Sequence, residues 1–154
     1  MHHDRLISAA EERLVLARAR IGSGRPRTAK QFAEQTVLGH RVIDSPGYPL
    51  DEPWLRQVGH RMVERGGVEP GAARRQGAAI LAAGDLRPDL AHVNVPTLVL
   101  HGEDDPLIRI EGGRALAGAI PGAELVTLPG MRHDLPRLLW PTIISNIRAL
   151  ADRR

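Results

Sequence analysis

Cysteine is absent from these 154 residues, which excludes disulfides and Cys-based metal sites. Aromatic residues make up only 3% of the chain, so aliphatic side chains and alanine must fill its core. Lys30 is the only lysine, and arginine carries the rest of the positive charge. No apolar run approaches the ~20 residues needed to span a bilayer. The amino terminus, Met-His-His-Asp-Arg, has no apolar segment of signal-peptide length behind it. These absences predict a soluble, cytoplasmic protein without a membrane partner. The two leading histidines have no neighbours that complete a ligand set, so no metal is expected.

The remainder of the composition fits a single globular domain. Its length suffices to bury a core, and a hydrophobic content of 42% is too high for a disordered chain. A formal net charge of +3 and a high pI raise nucleic-acid binding as a reading. The arginines are scattered among acids, however, with no basic run longer than two. That pattern describes a solvated surface, and no nucleic-acid partner is expected.

Hydrophobic periodicity divides the chain in two. The front part is helical. Helices are predicted over 4–20 (with Asp4 as candidate cap), from Thr28 to about His40, and from a cap at Asp51 to about Arg65. A further helix spans about Pro70 to Ala83, and Gly84-Asp85 opens a short turn of helix to about Ala91. Ser45-Pro46-Gly47-Tyr48-Pro49 is a turn-rich connector. The back part reads strand, helix, strand, helix: Thr97–Leu100, Glu111–Ile120, Glu124–Leu128, and a last helix capped by Asp134 and running to about Ala151. Its buried side would be Leu135, Leu138, Leu139, Ile143, Ile144 and Ile147.

A strand–helix–strand crossover makes the two strands parallel. Their carboxyl-terminal ends then share one edge of the sheet, where α/β folds place their sites. The first strand runs into His101-Gly102-Glu103-Asp104-Asp105-Pro106, and the second into Pro129-Gly130-Met131-Arg132-His133-Asp134. An acid and a histidine from such ends can meet and form two members of a nucleophile–His–acid triad.

From about Val95 to Trp140 these two stretches, in this order and one crossover apart, resemble the carboxyl-terminal half of the α/β-hydrolase family, in particular its small serine esterases with a helical cap. The first maps onto the family's acid-bearing loop through His101, Gly102, Asp105 and Pro106. The second maps onto its base-bearing turn through Gly130, Met131, His133 and Asp134. The resemblance implies a partial α/β-hydrolase fold: a helical cap-like segment over 1–91, then two parallel strands with flanking helices over 92–154. It implies carboxylic-ester hydrolysis without a cofactor, with Asp105 as the acid and His133 as the general base. Asp104 is the rival acid, and Glu103 a more distant one. His101 either orients the acid loop or simply packs. Arg109 and Arg132 face solvent or contact a carboxylate. Trp54, Tyr48, Phe32 and Met62 either line an acyl pocket or form helix–helix core.

The family also carries a Gly-x-Ser-x-Gly nucleophile elbow, upstream of the acid and the base. No such motif occurs here, and the upstream His-Gly oxyanion loop is absent too. The four serines are Ser8, Ser23, Ser45 and Ser145. Ser23 lies between glycines, but no strand precedes it. The chain therefore reads as the later part of a hydrolase, and alone it should show negligible serine-esterase turnover. A small-molecule ester would be its substrate once a serine is supplied by a front-half chain. The alternative is a non-catalytic remnant or small binding module. The strand at Thr97–Leu100 should present an unpaired apolar edge, which invites self-association or pairing with a front-half chain.

Overall fold

The computed structural model describes residues 28–66 and 71–153. The helix expected over 4–20, Ser23 and Pro70 lie outside them.

Helix α1 (Ala29–Ile43) starts at Thr28, whose extended backbone and hydroxyl cap the first turn by accepting from the Gln31 N–H at 3.2 Å. It outruns the expected end at His40 by three residues, and its last residue, Ile43, is buried. Helix α2 (Glu52–Glu64) starts at Asp51, whose carboxylate accepts from the Trp54 N–H at 3.0 Å. Pro53 sits in its first turn, where a missing N–H is tolerated. Ala33 lies against Gly59, Glu34 pairs with Arg56, and Arg41 pairs with Glu52. The partners run in opposite order along the two helices, so α1 and α2 form an antiparallel hairpin. Its seam is buried at Ala33, Val37, Leu55 and Gly59, while the ion pairs lie at its exposed rim, where such pairs add little.

Helix α3 (Ala72–Ala82) and the single turn α4 (Arg87–Leu90) follow. The Asp85 carboxylate accepts from the Arg87 N–H at 3.1 Å. Strand β1 (Leu98–Gly102), helix α5 (Ile110–Ala119) and strand β2 (Glu124–Leu128) then form the crossover, and the strands pair in parallel from Leu98↔Glu124 to Gly102↔Leu128. Strand β1 starts one residue later than expected and ends two residues later. Pairing with β2 continues to Gly102, beyond the apolar run visible in the sequence. Only Val99 and Gly102 of β1 are buried, so the sheet is less fully covered than a strand packed on both faces.

The last helix departs from expectation. Asp134 is not its cap. Pro136 disfavours helical backbone in the residue before it, and the chain re-enters helix through a 3-10 turn at Arg137–Leu139 before α6 (Trp140–Ala151). Of the six side chains expected to be buried, Ile143 is buried in a cluster with Leu128 and Met131, and Leu139 packs against that cluster, as do Leu100 and Val126. Leu135, Leu138, Ile144 and Ile147 are exposed. Among the described residues the sheet has two strands, too narrow a floor for the full apolar face of α6.

Two helical glycines should respond oppositely to the same change. A Cβ on Gly59 would sit 2.6 Å from Ala33 Cα and 2.9 Å from Thr36 Oγ1, whereas one on Gly39 meets nothing within 4 Å. Gly39→Ala is expected to raise stability by about 0.5–1 kcal/mol through reduced backbone entropy. Gly59→Ala is expected to lower it by about 1–3 kcal/mol by forcing the hairpin apart. Urea-unfolding midpoints of the two variants check both signs.

Candidate active site

Beyond the paired ends of β1 and β2, the two loops are bound to each other by backbone. The Glu103 and Asp104 N–H groups donate to the carbonyls of Leu128 and Met131, each at 3.1 Å. Pro129 and Gly130 form a β-turn closed by the Met131 N–H on Leu128 O at 3.2 Å. Gly130, at φ +71°, occupies the third position of that turn, where type II geometry requires positive φ. Gly102 permits the closest approach. A Cβ there would lie 2.5 Å from the Arg132 carbonyl oxygen and 2.8 Å from the Met131 carbonyl carbon. The loop that carries His133 thus rests directly on the backbone at the end of β1.

This arrangement brings Asp105 and His133 together. Asp105 Oδ2 accepts from His133 Nδ1 at 2.8 Å. Asp105 Oδ1 accepts from the N–H groups of Leu107 at 2.8 Å and Ile108 at 3.0 Å. With three donors, the carboxylate is fixed from both sides; its side chain is 7% exposed, against 37% for His133. A carboxylate only accepts, so Nδ1 carries the ring proton, and Nε2 of the neutral imidazole is left as a lone-pair acceptor. That is the tautomer a general base needs.

The neighbouring candidates do other things. Asp104 is exposed and contributes its backbone N–H to the loop. Glu103 accepts from Thr127 Oγ1 at 2.7 Å. His101 donates Nδ1–H to the Gly102 carbonyl at 2.8 Å, and its ring lies over Gly113, where a Cβ would come within 2.6 Å; it packs. Arg109 stands 3.9 Å from Glu111. The backbone N–H of Arg132 donates to Ser45, and its Nε is buried without a hydrogen-bond partner. Ser45 is buried, Ser145 is exposed on α6, and Ser8 and Ser23 lie outside the described residues. Among the described residues no group of three or more His, Asp or Glu could hold a metal, and no helix is long and apolar enough to cross a membrane.

Beside His133 opens a pocket of about 360 Å³, walled by His40, Leu50, Trp54, Leu55, Leu135 and Trp140. The two tryptophans meet edge to face, with centroids 5.7 Å apart. The Arg137 guanidinium lies 5.1 Å from the Trp140 ring centre and donates to Asp51 Oδ2 at 2.6 Å. The pocket's cation is thus already paired and stacked, which leaves a largely apolar wall. Of the four side chains weighed as pocket lining or helix–helix core, Trp54 lines the pocket. Tyr48 instead donates its hydroxyl to the Pro129 carbonyl at 2.9 Å. Phe32 and Met62 are not among the lining residues. Trp140, Arg137 and Ser45 carry no motif that would have marked them in the sequence.

The Trp54 backbone N–H, and after it the Arg137 guanidinium, hold the Asp51 carboxyl below the ordinary aspartate range. A depressed folded pKa stabilises the fold above the unfolded value. That contribution declines as pH drops below the ordinary value of about 3.9 and vanishes below the lower folded value. Trp54 and Trp140 are the only tryptophans, and both report on this pocket. Acidification should give their fluorescence a distinct step below about pH 4, as Asp51 protonates. Asp51→Asn, which can still cap α2 but carries no charge, should give the altered emission already at pH 7.

Residues 68–137 match the family model described as serine aminopeptidase, S33. The chain is 31% identical over 113 residues to a bifunctional esterase/perhydrolase from Acinetobacter calcoaceticus, covering 70% of this chain and 38% of that protein. It is 34% identical over 94 residues to a pimeloyl-(acyl-carrier protein) methyl ester esterase from Nitrosospira multiformis, covering 60% of this chain and 35% of that protein. Its fold matches the crystal structure of an esterase from a Rhodococcus species with a TM-score of 0.57 at 16% identity, over 99% of this chain and 52% of that one. The chain thus spans well under half the length of these two curated relatives and about half of the solved esterase. These matches support an α/β-hydrolase family of the esterase type: the sequences carry the family likeness, and the solved structure, at 16% identity, shows the shared fold.

Proposed function

We propose that this chain supplies the acid and the base of a Ser-His-Asp carboxylic-ester hydrolase whose nucleophile lies outside these 154 residues. Residues 1–91 act as the cap-like segment, and residues 92–154 as the carboxyl-terminal part of the hydrolase core. The observation that carries this reading is the 2.8 Å hydrogen bond from His133 Nδ1 to Asp105 Oδ2. It lies at the carboxyl ends of two parallel strands, with Nε2 left free to take a proton.

In the proposed reaction a serine hydroxyl from a complementing segment attacks the ester carbonyl. Its proton passes to His133 Nε2, and the imidazolium is stabilised by Asp105. Collapse of the tetrahedral intermediate expels the alcohol, which takes that proton. Water then attacks the acyl-serine with the same imidazole as base and releases the acid. The pocket walled by Trp54 and Trp140 suits a neutral, apolar acyl or alcohol group, since Arg137 is already committed to Asp51. Substrates would be small-molecule esters, in keeping with the esterase names of the relatives.

Two features support a complementing front half. The outer edge of β1 has no strand neighbour among the described residues, and the large apolar side chains of Leu138, Ile144 and Ile147 are exposed. A non-catalytic remnant is the alternative: neither described serine is placed to serve, because Ser45 is buried and bonded elsewhere and Ser145 stands exposed on α6, which fits that reading as well as an external nucleophile.

Co-expression with a front-half polypeptide encoding strand–Gly-x-Ser-x-Gly–helix separates the two readings. The chain alone should hydrolyse p-nitrophenyl acetate no faster than buffer. The complemented pair should turn it over, and His133→Ala or Asp105→Asn should lower kcat by about 10⁴ or more. Turnover by the chain alone that disappears in His133→Ala would contradict an external nucleophile. An upstream frame full of stops, with no activity in any complemented pair, would leave the remnant reading.

A further inference from the structure

We infer that Ser45 is a positioning residue for His133, linking the connector between α1 and α2 to the orientation of the imidazole. The inference deepens the reading of His133 as general base and takes its catalytic meaning from it.

The Ser45 side chain is buried, with the residue 1% exposed. Its Oγ accepts from the Arg132 backbone N–H at 2.8 Å and donates to Asp134 Oδ1. These two residues flank His133 directly, although they lie 87 and 89 positions from Ser45 in the chain. One hydroxyl therefore ties down the backbone before the histidine and the side chain after it. Both of its bonds are made in a buried setting, where an unpaired hydroxyl would be costly.

His133 depends on this support. Its ring makes one hydrogen bond among the described residues, to Asp105, and its side chain is 37% exposed. A half-exposed imidazole with a single anchor keeps its orientation only if its backbone is held. Gly102 admits the carbonyls of Met131 and Arg132, and Ser45 bonds Arg132 and Asp134. The nearby Tyr48 hydroxyl also joins the connector to this region, but at Pro129, on the far side of the turn. Ser45 thus differs from a general cap-to-core contact in touching both neighbours of the base.

The test reads ring-nitrogen NMR shifts of His133 in the full chain near neutral pH. Wild type should hold the neutral ring mainly as the Nδ1–H tautomer. Ser45→Ala should move the tautomer ratio toward Nε2–H by about two- to tenfold, the range a single hydrogen bond supports. Ser45→Thr, which retains the hydroxyl, should restore the wild-type ratio. Tyr48→Phe should lower stability without moving the ratio. If Ser45→Ala does not fold, Asp134→Ala replaces it, with a smaller shift expected in the same direction. An unmoved ratio in folded Ser45→Ala, or in Asp134→Ala where that variant replaces it, overturns the inference, as does an equal shift in Tyr48→Phe. An unmoved ratio in a chain that is active when complemented would sink the Ser45 role alone. A responsive ratio in a chain that no front half activates would sink the esterase reading alone.

Discussion

Strand β1 ends on a residue without a side chain, and that vacancy fixes the geometry of everything around it. Gly102 pairs with Leu128 at the last rung of the parallel ladder. Because no Cβ stands there, the loop after β2 folds back over the end of β1 until the Met131 and Arg132 carbonyls lie against its backbone. The turn that starts this return needs Pro129 and a positive-φ Gly130. The acid loop is bonded to the same backbone through Glu103 and Asp104. Two loops that are remote in sequence thereby become one rigid surface, and Asp105 and His133 meet on it. Any side chain at position 102 would separate the loops before it disturbed either residue of the pair.

The helical part adds a second level of control. Asp51 caps α2 with one oxygen and pairs with Arg137 with the other. Trp54, three residues on, meets Trp140 at the start of α6. Tyr48 reaches Pro129, and Ser45 reaches both neighbours of His133. The short segment from Ser45 to Trp54 therefore lines the pocket and contacts both neighbours of His133. The contacts are polar at the loop and aromatic at the pocket wall, as suits a surface that must hold its own loops while offering apolar space to a ligand.

Much of this was legible in the sequence because it rests on local chemistry. Thr28 and Asp51 announce helix starts by the capping rule, and β2 is bounded as its apolar run suggests. Gly-x-x-Asp-Pro and Pro-Gly-x-x-His mark where Asp105 and His133 leave the sheet. The Asp-Pro step already favoured Asp105 over Asp104, and in three dimensions Asp105 turns inward to accept from Leu107, Ile108 and His133. The sequence misled at Asp134. A capping residue before an apolar stretch reads as a helix start, but Pro136 delays the helix and leaves the carboxylate for Ser45. Ser45 itself looked like turn punctuation, because a bond spanning nearly ninety residues leaves no local trace. The exposed isoleucines of α6, Ile144 and Ile147, follow the same logic: periodicity shows which face is apolar, and only the sheet beneath decides how much of it is covered.

The contact between Asp105 and His133 is the point at which fold and chemistry join. Proton NMR of the wild-type chain near neutral pH, compared with Asp105→Ala, tests it most directly. A slowly exchanging, low-field ring-nitrogen proton of His133 that is present in the wild type and lost in the variant is the predicted result. A His133 ring that exchanges freely and gives the same spectrum with and without the Asp105 carboxylate would contradict it.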